Sequence, residues 1–162
     1  KILHQQAGSY GIDSTKIGVM GFSAGGHLAA MTTLWKSADP EENVDFSAFV
    51  YGVTNDSAAN MQWLADNLYM RPLTGEESAR NRLLNLVNRD TAPAFLVHAL
   101  DDRTCPPEES TLYYQKLQAL RVPVEMHLFP RGGHGFGLGH REDGTDQWSG
   151  LFINWVGRLQ RK

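Results

Sequence analysis

Residues 18 to 30 read "GVMGFSAGGHLAA", a lone serine set among glycines directly after an apolar run. Two readings of Ser23 compete: a nucleophile carried on a tight turn, or a helix N-cap with small neighbours. Ile17, Val19 and Met20 supply a strand before it, and Gly25-Gly26 followed by Leu28-Ala29-Ala30 opens a helix after it. A strand that turns sharply into a helix forces its turn residue into strained φ/ψ. The residues two positions either side, Gly21 and Gly25, must be small for strand and helix to approach. Such a turn lifts the hydroxyl clear of the backbone at a helix N-terminus. There the backbone N–H of Ala24 and the helix dipole can receive a developing oxyanion.

A serine hydroxyl is a weak nucleophile without a base, and the base needs a group to orient it. Both occur further along, in the order Ser, Asp, His. The stretch "HALDDRTCPP" (98–107) puts Asp101 and Asp102 at the carboxyl end of an apolar run. Asp102 lies one residue deeper in the turn and is the favoured orienting acid, although either carboxylate suits a turn or N-cap role. The stretch "FPRGGHGFG" (129–137) sets His134 in a glycine-rich loop that leaves room for an imidazole to reach Ser23; a plain surface histidine is the alternative. Of the other histidines, His98 lies in a strand, His127 alternates outward with Glu125, and His27 suits packing or capping. No two histidines and a carboxylate have zinc spacing, so neither a metal nor a cofactor is expected.

Four short apolar runs read as buried parallel strands: 17–22, 49–53, 94–99 and 124–129. Helical patterns separate them. One covers 24–36, with Leu28, Met31, Thr32 and Trp35 on its apolar face. A second starts near Pro107 and carries Leu112, Leu117 and Leu120. The last has Trp148, Leu151, Phe152, Trp155, Val156 and Leu159 on one helix face. This alternation predicts a parallel α/β sheet flanked by helices. Loops at the carboxyl ends of its strands share one edge, where Ser23, Asp102 and His134 can meet. Residues 54–90 break the rhythm with two helical pieces, around 61–69 and after the capping-box pattern Thr74-x-x-Glu77. We read them as a cap over the site, the alternative being ordinary connecting helices. Trp63 has an apolar helical face beside it and is read as core, ahead of a role stacking on a sugar.

At 162 residues, with 41% hydrophobic and 20% charged residues, the chain has the length and composition of one globular domain, 1–162. A net charge of −3 gives no electrostatic reason to expect nucleic acid. No apolar run approaches the ~20 residues of a membrane span. The single cysteine, Cys105, excludes an internal disulfide. The chain opens on Lys1 without a signal-like stretch, which leaves its compartment open.

Taken together, "IDSTKIGVMGFSAGGHLAA" (12–30), "TAPAFLVHALDDRTCPPEES" (91–110) and "VPVEMHLFPRGGHGFGL" (122–138) resemble the α/β-hydrolase fold. Within it they resemble the small bacterial esterases that include acetyl xylan and other carbohydrate esterases. The resemblance runs over nearly the whole chain apart from the insertion. It implies Ser23 as nucleophile, Asp102 as orienting acid and His134 as general base, with no cofactor and a short acyl ester or acylated sugar as substrate. Cys105 stands where such proteins commonly have valine. Members of the family have eight strands, with the serine turn after the fifth; here it follows the first. The chain therefore reads as the C-terminal half of that fold, without the His-Gly-Gly loop that gives a second oxyanion donor. Losing one such donor typically costs about 10²–10³ in rate. A truncated, catalytically weak half acting in assembly, and a peptidase of the prolyl-oligopeptidase type, are the rival readings. The missing half also predicts an open edge on the strand 17–22, and association through it with another copy or with the absent strands.

Overall fold

A computed structural model describes residues 1–159 of the chain. Its apolar runs form four strands, β1 (Gly18–Phe22), β2 (Phe46–Val50), β3 (Ala94–Ala99) and β4 (Val124–Phe129). They pair in parallel in the order β1-β2-β3-β4, with Met20 opposite Ala48 and Phe95 opposite Glu125. Every residue of β2 and β3 is buried, as central strands covered on both faces require. Strands β3 and β4 coincide with the predicted runs, and β1 starts one residue later. Strand β2 lies three residues earlier than predicted. Tyr51 takes a φ of 41° and ends the strand, while the small Ser47 and Ala48, which give no strong apolar signal, fill its first half.

Two short helices, α1 (Ile2–Gln5) and α2 (Ala7–Tyr10), precede β1, and α3 (Ala24–Leu34) leaves it directly. Helix α3 buries Gly26, His27, Ala29, Ala30, Thr33 and Leu34, whereas Leu28 and Trp35 face outward. Of the predicted apolar face only Met31 packs against the core. A helix springing straight off its strand lies too close to the sheet for bulky residues, so the small side chains pack inward.

Residues 54–90 form α4 (Ala58–Leu64), running into a π-helical turn at Ala65–Tyr69, then α5 (Gly75–Asn81) and α6 (Leu83–Leu86). The capping box at Thr74 and Glu77 has both of its hydrogen bonds. Leu83 and Val87 join a core with Ala30, Phe49 and Leu96, so α6 belongs to the layer flanking the sheet, as a connecting helix would. Trp63 is 49% exposed; Leu64 and Ala65 take the buried face of α4 that the sequence reading gave to the tryptophan. Helix α7 (Glu108–Ala119) completes this core through Tyr113 and Leu117. On the opposite face α8 (Trp148–Arg158) packs Trp148 and Trp155 against Phe46, Phe95 and Val97, along the predicted stripe. Among the described residues no helix is long and apolar enough to cross a membrane.

Candidate active site

Ser23, between β1 and α3, has φ 53° and ψ −124°, a conformation that costs a non-glycine residue about 1–3 kcal/mol. Its neighbours hold it there. Its N–H donates to the Val50 carbonyl at 3.1 Å, and its own carbonyl accepts from the Gly26 N–H at 2.8 Å. A Cβ on Gly21 would run into the Gly25 carbonyl, and one on Gly26 would press on the backbone of Gly52. A Cβ on Gly25 would face open space, so the approach of strand and helix demands a glycine at 21, and Gly26 serves a second approach, to the backbone after β2.

The Ser23 side chain does not cap α3. Its Oγ lies 2.7 Å from Nε2 of His134, and His134 Nδ1 lies 2.7 Å from Oδ2 of Asp102. A carboxylate only accepts, so Nδ1 carries the proton and Nε2 is left to accept from the serine hydroxyl. Asp102 is 5% exposed, and its Oδ1 accepts from the N–H groups of Thr104 and Cys105 at 2.9 and 2.8 Å. The structure thus brings Ser23, Asp102 and His134 together at the carboxyl edge of the sheet. Ala24 is the first residue of α3, where a backbone N–H has no partner within the helix.

The loop carrying His134 has no regular structure, and Gly132, Gly133, Gly135, Gly137 and Gly139 all take positive φ. Specific bonds hold it instead. The Gly133 N–H donates to Asp101 Oδ1 at 2.8 Å, so the two adjacent aspartates divide the work, one on the ring and one on its loop. The Gly137 N–H donates to the Tyr51 hydroxyl at 3.1 Å, and Trp148 Nε1 donates to the Gly137 carbonyl at 3.0 Å. The Tyr51 ring also lies against the His134 ring, 5.1 Å between centroids. Tyr51 shows no motif in the sequence; its backbone strain at the end of a central strand is the structural mark of its position.

Three further groups surround this arrangement. His98, in β3, is fully buried and lies 3.4 Å from Asp102 Oδ2. Burial pushes its pKa below the ordinary histidine value. Burial likewise pushes the Cys105 thiol up to about 12, which makes it an inert space-filler. His27 Nε2 donates to Asn81 Oδ1 at 3.1 Å, and Asn81 donates to the Tyr69 hydroxyl at 3.0 Å, tying α3 to the insertion. Among the described residues no group of three His, Cys, Asp or Glu side chains is placed to hold a metal ion.

A parallel sheet that presents a serine on a strained strand–helix turn, with an aspartate and a histidine on later strand-end loops, makes this an α/β hydrolase. The chain belongs to the prolyl oligopeptidase family, whose model matches residues 3–158. It is 29% identical over 164 residues to an acetylxylan esterase of Xylanibacter ruminicola, covering 96% of this chain and 33% of that protein. It is 27% identical over 167 residues to an endo-1,4-beta-xylanase B of Butyrivibrio fibrisolvens, covering 97% of this chain and 25% of that protein. Among solved structures it superimposes on an acetyl ester-xyloside bifunctional hydrolase from Caldicellulosiruptor lactoaceticus with a TM-score of 0.84. The two are 30% identical, and the match covers 96% of this chain and 61% of the other. The chain thus spans a third or less of the length of these curated relatives.

Proposed function

We propose that the chain carries the nucleophile, base and orienting acid of a serine carboxylic-ester hydrolase. The observation that supports this best is the unbroken hydrogen-bond relay from Ser23 Oγ through His134 to Asp102, starting at a serine that is strained and caps nothing. In this reading Ser23 Oγ attacks the ester carbonyl carbon while His134 Nε2 takes its proton. The Ala24 N–H donates to the oxyanion of the tetrahedral intermediate. Collapse expels the alcohol, protonated by His134, and leaves an acyl-serine. Water, activated by the same histidine, then releases the acid and restores the serine. Asp102 stays ionised throughout and holds the ring in the tautomer that accepts from serine.

Short acyl esters of carbohydrates, such as acetylated xylan oligosaccharides, are the substrates we assign. The names of the acetylxylan esterase and acetyl ester-xyloside hydrolase relatives support this. The family's name supports a second reading, cleavage of peptides by the same groups. Purified protein assayed on p-nitrophenyl acetate, acetylated xylo-oligosaccharide and a peptide p-nitroanilide separates the two. The expected result is ester turnover, lost by at least about 10³-fold in Ser23→Ala. A fluorophosphonate should also form an adduct on Ser23. Equal rates for the two proteins and no adduct would leave only an assembly role, and cleavage of the anilide alone would assign a peptidase.

A further inference from the structure

We infer that His98 is a positioning residue for the acid–base pair, a buried neutral imidazole that fixes the loop bearing Asp102 and thereby the seat of His134. The inference rests on the roles given to Asp102 and His134 above.

His98 occupies a fully buried position in β3, among the apolar residues Leu96, Val97 and Ala99. A polar ring there is costly unless both nitrogens find partners. Neither partner comes from the sheet. Nε2 lies 2.8 Å from the Cys105 carbonyl, in the loop after β3, and Nδ1 lies 2.8 Å from the Ser110 hydroxyl, in the first turn of α7. A carbonyl only accepts, so Nε2 carries the ring's proton and Nδ1 accepts from serine. The carbonyl therefore selects the tautomer, the hydroxyl completes it, and the ring bridges strand, loop and helix as a neutral group.

The loop that His98 grips is the one that positions the acid. Cys105 offers its N–H to Asp102 Oδ1 and its carbonyl to His98, so its peptide groups are held from both sides. The proton-bearing edge of His98 also lies 3.4 Å from Asp102 Oδ2, the oxygen that receives His134 Nδ1. A hydrocarbon of similar volume would fill the space and hold neither. Removing the ring frees the Cys105 carbonyl, lets the Asp102 carboxylate turn, and passes the error to the imidazole above it.

The test reads the His134–Asp102 hydrogen bond itself, by the low-field proton resonance of His134 Nδ1–H, which needs no turnover. Labelling by a fluorophosphonate gives a second readout. His98→Leu is expected to shift or abolish the resonance and to slow labelling about 10-fold or more, the scale of a misplaced catalytic group. His98→Gln, whose amide can donate to Cys105 and accept from Ser110, is expected to restore the resonance and a labelling rate within about 3-fold of the parent. A His98→Leu protein that keeps both readouts overturns the inference. Should that variant fail to fold, Ser110→Ala decides, because without the hydroxyl that anchors Nδ1 the ring can swing away from Cys105. A shifted resonance supports the role and an unchanged one overturns it. A parent chain with the resonance but no ester turnover defeats the proposed activity and leaves this inference standing; a parent chain without the resonance overturns it.

Discussion

Asp101 and Asp102 are adjacent, chemically identical, and do different jobs. Asp102 is buried and bonded to the His134 ring, whereas Asp101 is exposed and holds the Gly133 N–H of the same loop. Their substitutions should therefore part widely. Asp102→Ala takes away the group that fixes the ring tautomer, a loss of about 10⁴ in kcat in serine hydrolases. Asp101→Ala removes one solvent-accessible hydrogen bond of net worth about 1 kcal/mol, or roughly a fivefold drop in kcat, with KM unchanged. Steady-state kinetics on p-nitrophenyl acetate measures both, and comparable losses would refute this division of labour. The candidate residues themselves were legible in the sequence because the turn around Ser23 needs local glycines and because Asp and His follow in fixed order. Asp102 is the favoured partner of the ring from the sequence, although a turn accommodates either aspartate, and the structure places it there. His98 gives no such signal: inside an apolar run it looks like a strand residue, and its partners Cys105 and Ser110 carry no pattern pointing back to it.

At the scale of elements, the first turn of α7 is a junction. Glu109 is buried, and its carboxylate accepts from the N–H groups of Thr54 and Asn55 at 2.8 and 2.6 Å and from the Asn60 amide at 2.6 Å. The Thr54 hydroxyl donates to the carbonyl of the same glutamate. One buried charge thus fastens the start of the insertion to the helix whose next residue holds His98. Local rules found the ends of such elements and missed the ties between them. The capping box of α5 was readable because Thr74 and Glu77 are three residues apart, while Thr54 and Glu109 are joined across 55 residues by folding alone. The face of α3 was misread for a different physical reason, the sheet's preference for alanine and glycine where a helix lies close. Replacing Glu109 with Ala strands one buried and one part-buried backbone donor and should cost about 3 kcal/mol of stability. The loss should also be local first. Amide exchange in 54–64 is expected to accelerate well before β2 and β3 do, and denaturant titration gives the total. Uniform acceleration across the sheet would mean that the glutamate serves the core and not the junction.

Across the whole molecule, the sheet of the described residues ends on β1 at one side and on β4 at the other. Among the described residues β1 pairs only with β2, and Phe22 at its end is 36% exposed, with Ile12, Leu28 and Trp35 also exposed nearby in sequence. Strand count, parallel pairing and the carboxyl-edge site followed from the apolar runs; the open edge followed only from the resemblance, since a strand's own residues do not say how many neighbours it has. We propose that two copies of the chain pair through this edge. A twofold axis would set the two β1 strands antiparallel and bury the apolar residues around them. Backbone alternation says which atoms are free. Ser23 N–H points to Val50 and the Ile17 carbonyl accepts from Asp45, so the odd-numbered residues of β1 face β2 and Met20 faces outward. Met20→Pro would then delete an outward donor while sparing the β1–β2 ladder. Light scattering coupled to size-exclusion chromatography should find the parent chain as a dimer at micromolar concentration and this variant, with its thermal transition retained, as a monomer. A parent chain that runs as a monodisperse monomer with β1 solvated would sink the proposal, and a variant that stays dimeric would move the contact to another face.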